Sequence, residues 1–342
     1  MVQSTIGASS GGLAGSETTA RIYGPLLSTT LDKILSSGAI QDNVYDATPT
    51  LDWFRSGGRV KVVDGGERIR IPILTSKNNT FKWYSDYEIL DVTPQAGLTT
   101  AFYTWKQGAV SVSISGNELR QNSGTAKIAD LMKEKIRNAN NSLADSVATG
   151  VFSDGGGSSN KQLTGLVALT DQTPATTEYA SINPANNTSW RNKANASVGA
   201  AAVNIIPSLR TIMNQCSQGR EGAAGKPDFI VTTRTVHETI ESLVTPRIRY
   251  QPNPSGGADL GVDSVSFKGA SIVWDDYCTS GTAYVLSSPH VMLFIHSAAN
   301  FAMSEEGFQK PIDQDALTTQ VLVQLNMATN NRRKLGVLGG IT

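Results

Sequence analysis

Histidine and cysteine are scarce in this chain, with three of the first and two of the second in 342 residues. No CxxC pair occurs, so neither a zinc ribbon nor a thioredoxin-like site is supported. Cys216 and Cys278 stand far apart in sequence. They fit two buried thiols in a reducing compartment, or one disulfide. His290 and His296 flank an apolar run; on a strand they share a face, too far apart to hold one metal easily. They are expected in packing or at the surface. His237 and Glu241 have helical i,i+4 spacing but no third ligand, which favours a surface pair. Charge of one sign is also missing: 29 basic and 29 acidic residues give a net charge of zero. A protein that wraps nucleic acid tightly carries a basic excess, so that role is disfavoured. No apolar run approaches the ~20 residues of a membrane helix. The first residues have neither a basic start nor an apolar stretch, so no signal peptide is expected.

The familiar catalytic signatures are absent. There is no GxSxG elbow, Walker loop, HExxH, or GxGxxG after a strand. Gly155-Gly156-Gly157 follows a helix instead of opening one and lacks a lysine, so it reads as a helix stop and flexible loop. Asp275-Asp276 in IVWDDYC would point apart on a strand and reads as a solvated turn. Asp313 and Asp315 have no third acid nearby and mark a loop-to-strand boundary. No cofactor and no metal are expected.

What is present is a folded, turn-rich chain, with 39% hydrophobic residues and 32 glycines. Single cores stop growing near ~250–300 residues, so two lobes or a body with extensions are expected. Residues 1–20 are rich in Ser, Gly and Thr and read as a flexible arm. A short amphipathic helix is expected in 24–40, with Leu27, Leu31, Ile34 and Leu35 on one side. Residues 57–115 are β-rich. RVKVVDGGERIRIPIL (59–74) reads as two strands around a Gly-Gly turn. Val60, Val62, Ile69, Ile71 and Ile73 would share one face, and Arg59, Lys61, Arg68 and Arg70 the other. Four cations on one face repel unless acids meet them. Residues 76–99 are polar and aromatic, too long for an ordinary connection, and read as a projection. Trp83, Tyr84 and Tyr87 could stack on bases, but Asp86, Glu88 and Asp91 repel phosphate, which favours a protein contact.

TAKIADLMKEKIRNANNSLADSVATGVF (125–152) is the strongest element. Ile128, Leu131, Met132, Ile136, Ala139, Leu143, Val147 and Val151 recur every three or four positions, predicting a helix of about seven turns. A second helical region is expected in 183–215, its apolar face running from Val198 through Ile205, Leu209 and Met213. KPDFIVTT reads as a buried strand, RTVHETIESLV as a helix, 251–261 as a loop, and SFKGASIVWDD and TAYVLSS as strands. The last part, from LTTQVLVQLNMAT, opens with a strand. No internal repeat is present. The class is α+β.

The order of these parts resembles the major capsid proteins of tailed bacteriophages, the HK97-fold family. The stretches that carry the resemblance are VVDGGERIRIPIL, QGAVSVSISGNELRQNSG, LTGL, KPDFIVTTRTVHETIESL, SFKGASIVWDD, TAYVLSSPHVMLFIHSAANF and QDALTTQVLVQLNMATNNRRKLGVLGGIT. Together they span essentially the whole chain. The resemblance implies an N-terminal arm (1–50), an extended β-loop (51–108), a peripheral domain with a spine helix (109–160 and 300–342), and an axial α/β domain (161–299). It implies a structural, non-enzymatic subunit that self-assembles as pentamers and hexamers into an icosahedral shell around double-stranded DNA, without sequence-specific binding. It places the protein in the virion, assembled in the host bacterial cytoplasm without a membrane. A portal is an implied partner; whether a decoration protein binds is not given by the sequence. Some family members carry a fused scaffold ahead of the arm; only residues 1–50 stand there in this chain, so a scaffold is expected as a separate protein.

In that fold the loop reaches across an adjacent subunit. The implied contact set is Arg59, Lys61, Arg68, Arg70, Lys77, Phe81, Lys82, Trp83, Tyr84, Asp86 and Glu88, over a spine core of Ile128, Leu131, Met132, Ile136, Leu143 and Val147. The early cations would meet Asp130, Glu134 and Asp145 of a neighbour, or the late acids Asp86, Glu88 and Asp91 of the same hairpin. Two further readings are an encapsulin-like compartment shell that encloses enzymes, and a small-oligomer enzyme with an unfamiliar site.

Overall fold

A computed structural model describes residues 48–121, 125–218, 225–244, 265–303 and 307–342. The expected arm 1–20, helix 24–40 and loop 251–261 lie outside these residues, as do the side chains of Ile128, Asp130 and Met132. In chain order the elements are α1 (Pro49–Ser56), β1 (Val60–Val63), β2 (Arg68–Leu74), β3 (Leu98–Thr104), β4 (Lys106–Ser115), α2 (Gly116–Gln121) and α3 (Thr125–Val151). After a one-turn helix at Leu166–Leu169 come β5 (Lys193–Asn195), α4 (Ala201–Cys216), β6 (Phe229–Thr232), α5 (Arg234–Val244), β7 (Val265–Phe267) and β8 (Ala270–Trp274). The rest is β9 (Ala283–Leu286), β10 (Val291–His296), β11 (Ala302–Met303), β12 (Ala316–Thr329) and β13 (Gly336–Leu338).

The strands form two sheets and a separate ribbon. One sheet runs β1-β10-β12-β11, with β4 also on β12. The ten residues of β4 pair antiparallel from Lys106↔Leu325 to Ser115↔Ala316. The helix α3 has 27 residues, about 40 Å at 1.5 Å per residue, and lies along this sheet. Its Leu143 is 3% exposed and shares a core with Val112, Val321, Val323 and Leu325. Gly108 on β4 permits the close approach: a Cβ there would meet Val323 at 3.2 Å and Leu143 at 3.8 Å.

The second sheet runs β5-β13-β9-β6-β8-β7. Its central strands are buried on both faces, which is why FIVT and AYVL read as continuous apolar runs. Phe229, Val231, Tyr284 and Leu286 face the same core as α3, while Ile230, Ala283 and Val285 face α4 and α5 through Ile205, Leu209, Val236 and Ile240.

Three expectations are corrected. The strands of RVKVVDGGERIRIPIL do not pair with each other. β1 lies parallel to β10 at the edge of the first sheet, and β2 pairs antiparallel with β3. The turn between them carries Gly65 at φ 76° and Gly66 at φ 98°, left-handed conformations that favour glycine. It passes the chain from one sheet to another instead of closing a hairpin. As a result Val62 is 57% exposed and shares no face with Ile69 and Ile73, which are buried. Asp275 is not in a solvated turn. It is 2% exposed and accepts from Thr50 N at 3.2 Å and Tyr277 N at 3.0 Å. It thereby caps the start of α1 from more than two hundred residues away, and burial raises its carboxyl above the ordinary range. Its neighbour Asp276 pairs with Arg234 at 2.9 Å.

Both cysteines are free, buried thiols, and burial pushes each up to about 12.

Candidate functional site

The β2–β3 ribbon runs in register from Arg68↔Thr104 to Leu74↔Leu98. It is sewn to the body along its whole length. Ile69, Ile73, Ala101 and Tyr103 alternate along the two strands and are buried. Phe102 N donates to Ala180 O at 3.1 Å, and Ser189 Oγ donates to Thr75 O at 2.6 Å. Asn326 Nδ2 on β12 donates to Thr104 O at 2.7 Å. At the root, Trp105 Nε1 donates to Gly66 O at 2.8 Å and its ring meets His296 edge-on at 5.8 Å. The β2–β3 ribbon therefore packs on its own chain, a contact that the expectation of a loop reaching across a neighbour did not require.

Beyond the neck, where Thr75 N donates to Gly97 O at 2.9 Å, residues 76–97 have no regular strand or helix. Short local turns shape this tip. Asn78 Oδ1 accepts from Thr80 N, and Asp91 Oδ1 accepts from Thr93 N and Oγ1, which lowers the Asp91 carboxyl below its usual range. The tip's large side chains face outward. Tyr87 is 100% exposed, Ile89 and Val92 90%, and Trp83 89%, with Phe81, Tyr84 and Leu90 also exposed. The Phe81 and Trp83 rings meet edge-on at 5.4 Å. Seven exposed large apolar side chains on one loop of a folded chain make a candidate interaction surface.

The structure separates the sequence-predicted contact residues. Arg59 belongs to the body: its guanidinium stacks on Trp53 at 4.0 Å, donates to Trp53 O, and reaches Ser288 Oγ at 2.7 Å. Burial lowers its ordinary value while Asp228 opposes the shift. Lys61 is exposed on edge strand β1. Arg68 pairs with Glu67 at 3.5 Å, and Arg70 lies 5.8 Å from the Phe102 ring. Lys82 meets Glu88 at 3.4 Å, so one early cation does find a late acid within the loop. Lys77 and Asp86 are exposed, and among the described residues neither makes an ion pair. In the spine set, Leu143 and Val147 are buried, and Leu131 and Ile136 are half-buried. Asp145, a candidate partner for a neighbour's cations, accepts a hydrogen bond from Tyr277 Oη of its own chain. Glu134 is half-buried.

Sequence reasoning left Ile89, Leu90 and Val92 out of the contact set. The available signal was three large apolar residues inside a charged segment that cannot form a core. It also missed a buried group beneath the ribbon. Arg332, fully buried, donates from Nε to Leu169 O at 2.8 Å and from Nη2 to Ala168 O at 3.0 Å. Its guanidinium lies 4.8 Å from the Tyr179 ring centroid. Burial lowers Arg332 and raises the hydroxyl of Tyr179.

Among the described residues no cluster of metal-binding or titratable groups competes with the tip. Among the described residues no group of three His, Cys, Asp or Glu could hold a metal. A shallow depression of about 230 Å³ between β5 and α4 is lined by Ala194, Asn195, Ser208, Thr211, Ile212 and Gln215, none of them titratable. No helix among the described residues is long and apolar enough to cross a membrane.

No protein-family model matches this sequence, and no curated protein matches it. Solved structures do. The capsid asymmetric unit of cyanophage A-1(L) superposes with a TM-score of 0.65 at 14% identity, covering 90% of this chain and 96% of that one. The capsid of a native GTA particle gives 0.59 at 12% identity, covering 90% and 94%. The SrpI encapsulin of Synechococcus elongatus PCC 7942 gives 0.54 at 11% identity, covering 91% and 95%. Nearly the full length of each is matched, so the arrangement of spine helix, two sheets and projecting ribbon is the HK97-like capsid fold.

Proposed function

We propose that this protein is a major capsid protein: a structural subunit that self-associates into a closed icosahedral shell around phage DNA. The observation that carries the reading is the tip at 76–97. Seven large apolar side chains are presented to solvent by a ribbon fastened to a rigid body with a capsid fold. Burying each such side chain is worth about 1.5–3 kcal/mol, so the tip has a strong driving force to find a covering surface. In a symmetric shell that surface is a second copy, and one contact repeats at every subunit. The role is structural, with no catalytic step.

The finer assignments belong to the same reading. The chain divides into arm 1–50, loop 51–108, peripheral parts 109–160 and 300–342, and axial part 161–299. Within the loop, Lys61, Arg68, Arg70, Lys77, Phe81, Lys82, Trp83, Tyr84, Asp86 and Glu88 contact the neighbour. A scaffold and a portal are its partners, and assembly takes place in the host bacterial cytoplasm.

The test is electron microscopy and sedimentation of the purified chain, with and without a candidate scaffold. Closed particles of megadalton mass are expected. A stable small oligomer under all conditions would remove the shell reading. The encapsulin likeness makes a cargo-enclosing compartment the second reading, favoured if particles capture a protein cargo peptide and exclude DNA.

A further inference from the structure

Beneath the ribbon lies a group of buried side chains, Tyr103, Tyr179 and Arg332. Tyr103, on β3, is buried at the inner end of the ribbon. Its hydroxyl donates to Thr329 O at 2.8 Å, and Thr329 N approaches the same oxygen at 3.3 Å. Its ring meets Tyr179 edge-on at 5.8 Å. Tyr179 in turn lies beneath the Arg332 guanidinium, and Arg332 follows Thr329 by three residues. The contacts close a circuit: ribbon to Thr329, along the chain to Arg332, through Tyr179, and back to the ribbon.

Tyr179 opens a two-residue turn whose central residues, Ala180 and Ser181, have φ of 56° and 61°. Turns of this kind usually hold Asn-Gly, so two ordinary residues there are strained. The Ala180 carbonyl is the acceptor for Phe102 N on the ribbon. Arg332 holds the other end of the same lobe through the carbonyls of Ala168 and Leu169. Among the described residues Arg332 makes no ion pair within 4 Å, although the Asp171 carboxylate favours its charge; a buried cation held this way is a poor source of stability, but its forked donors fix geometry.

We infer that Tyr103, Tyr179 and Arg332 form a latch that positions the loop ribbon on the body, so that a buried cluster sets the angle at which the tip meets its partner. The inference rests on the shell reading only for the word partner; the latch itself is a property of the single chain.

Two variants test it. Tyr103→Phe removes only the hydroxyl, and Arg332→Lys keeps the charge but loses the fork. Tyr284→Phe is the control, because Tyr284 is another buried tyrosine, bonded to Thr279 and away from the ribbon. Hydrogen exchange is read on unassembled chain. Loss of about 1.4 kcal/mol of local protection corresponds to about tenfold faster exchange. Tenfold faster exchange is expected in peptides covering 68–74 and 98–104 for Tyr103→Phe, with α4 unchanged. Tyr284→Phe should leave the ribbon protected. Unchanged ribbon exchange in Tyr103→Phe overturns the latch even if Arg332→Lys fails to fold. In assembly, the latch variants should give particles of altered size or open sheets. Normal particles from a chain with a loosened ribbon overturn the claim that the latch sets the contact angle. If no variant, and not the parent chain either, forms particles, the shell reading fails while the exchange result still decides the latch.

Discussion

The ribbon and the tip belong to one continuous stretch, residues 68–104, and both are rich in large apolar side chains, yet they meet opposite environments. On the ribbon, Ile69, Ile73 and Tyr103 are buried by their own chain; on the tip, Trp83, Tyr87, Ile89 and Val92 are almost wholly exposed. Composition does not separate them. Backbone pairing does: strand alternation points every second ribbon side chain inward, whereas the tip has no ladder to turn its side chains toward the body. The apolar residues of the ribbon contribute to folding, and those of the tip add little to this chain's own core.

The comparison predicts that damage to the body and damage to the tip have separable effects. Leu143→Asp places a charge between α3 and the β4–β12 sheet. It should cost more than about 4 kcal/mol and leave the chain insoluble, as read by soluble yield. A soluble Leu143→Asp subunit would contradict the assignment of α3 as the spine. Asp275→Ala strands the buried Thr50 N–H and the half-buried Tyr277 N–H and should cost about 2 kcal/mol, read as a lowered urea midpoint. Replacing Trp83, Tyr87 and Ile89 together with Ser should change subunit stability by less than about 0.5 kcal/mol. The same triple variant should abolish particle formation by sedimentation; a fall in its melting temperature would show that the tip packs on its own body.

Smaller effects sharpen the boundary. Arg68→Glu with Arg70→Glu should leave the circular dichroism spectrum unchanged and make assembly salt-sensitive, because exposed pairs contribute only ~0.2–1 kcal/mol each. Normal particles from this variant at low salt would leave the tip's apolar side chains as the sole adhesive. Smallest of all is a pH effect far from the loop. Arg120 and Lys310 hold the Asp315 carboxyl below its usual range. A depressed folded-state value means that its contribution is present above the unfolded value and is lost as pH falls through the folded one. NMR titration of Arg120→Gln should show the Asp315 carboxyl moving back up.

Much of the body was legible in the sequence. The spine helix follows from apolar spacing alone, and its expected span 125–152 differs by one residue from Thr125–Val151. KPDFIVTT, RTVHETIESLV and TAYVLSS form the strand, helix and strand expected of them. Pairing was not legible. RVKVV and RIRIPIL alternate alike, but nothing local tells β1 to join β10, more than two hundred residues on, while β2 joins β3. Buried polar residues were also misread, because Asp275, Arg332 and Tyr103 owe their positions to partners distant in sequence. The projection at 76–99 was expected from its length. The division between ribbon and tip within the loop was not, since it depends on the lobe at 168–192 that receives the ribbon.

The parallel pairing of β1 with β10 has a consequence for synthesis. β1 emerges early from the ribosome, and Tyr103 must wait for Thr329, 226 residues later, before its hydroxyl is bonded. Topologies dominated by such distant contacts fold slowly, and unpaired edges are exposed in the interval. The first sheet cannot close until β12 has been made, so β1 waits for more than two hundred further residues to be translated. The loop's apolar side chains are available to other molecules throughout that delay, and the interval between translation and closure is when a chaperone would have most to protect.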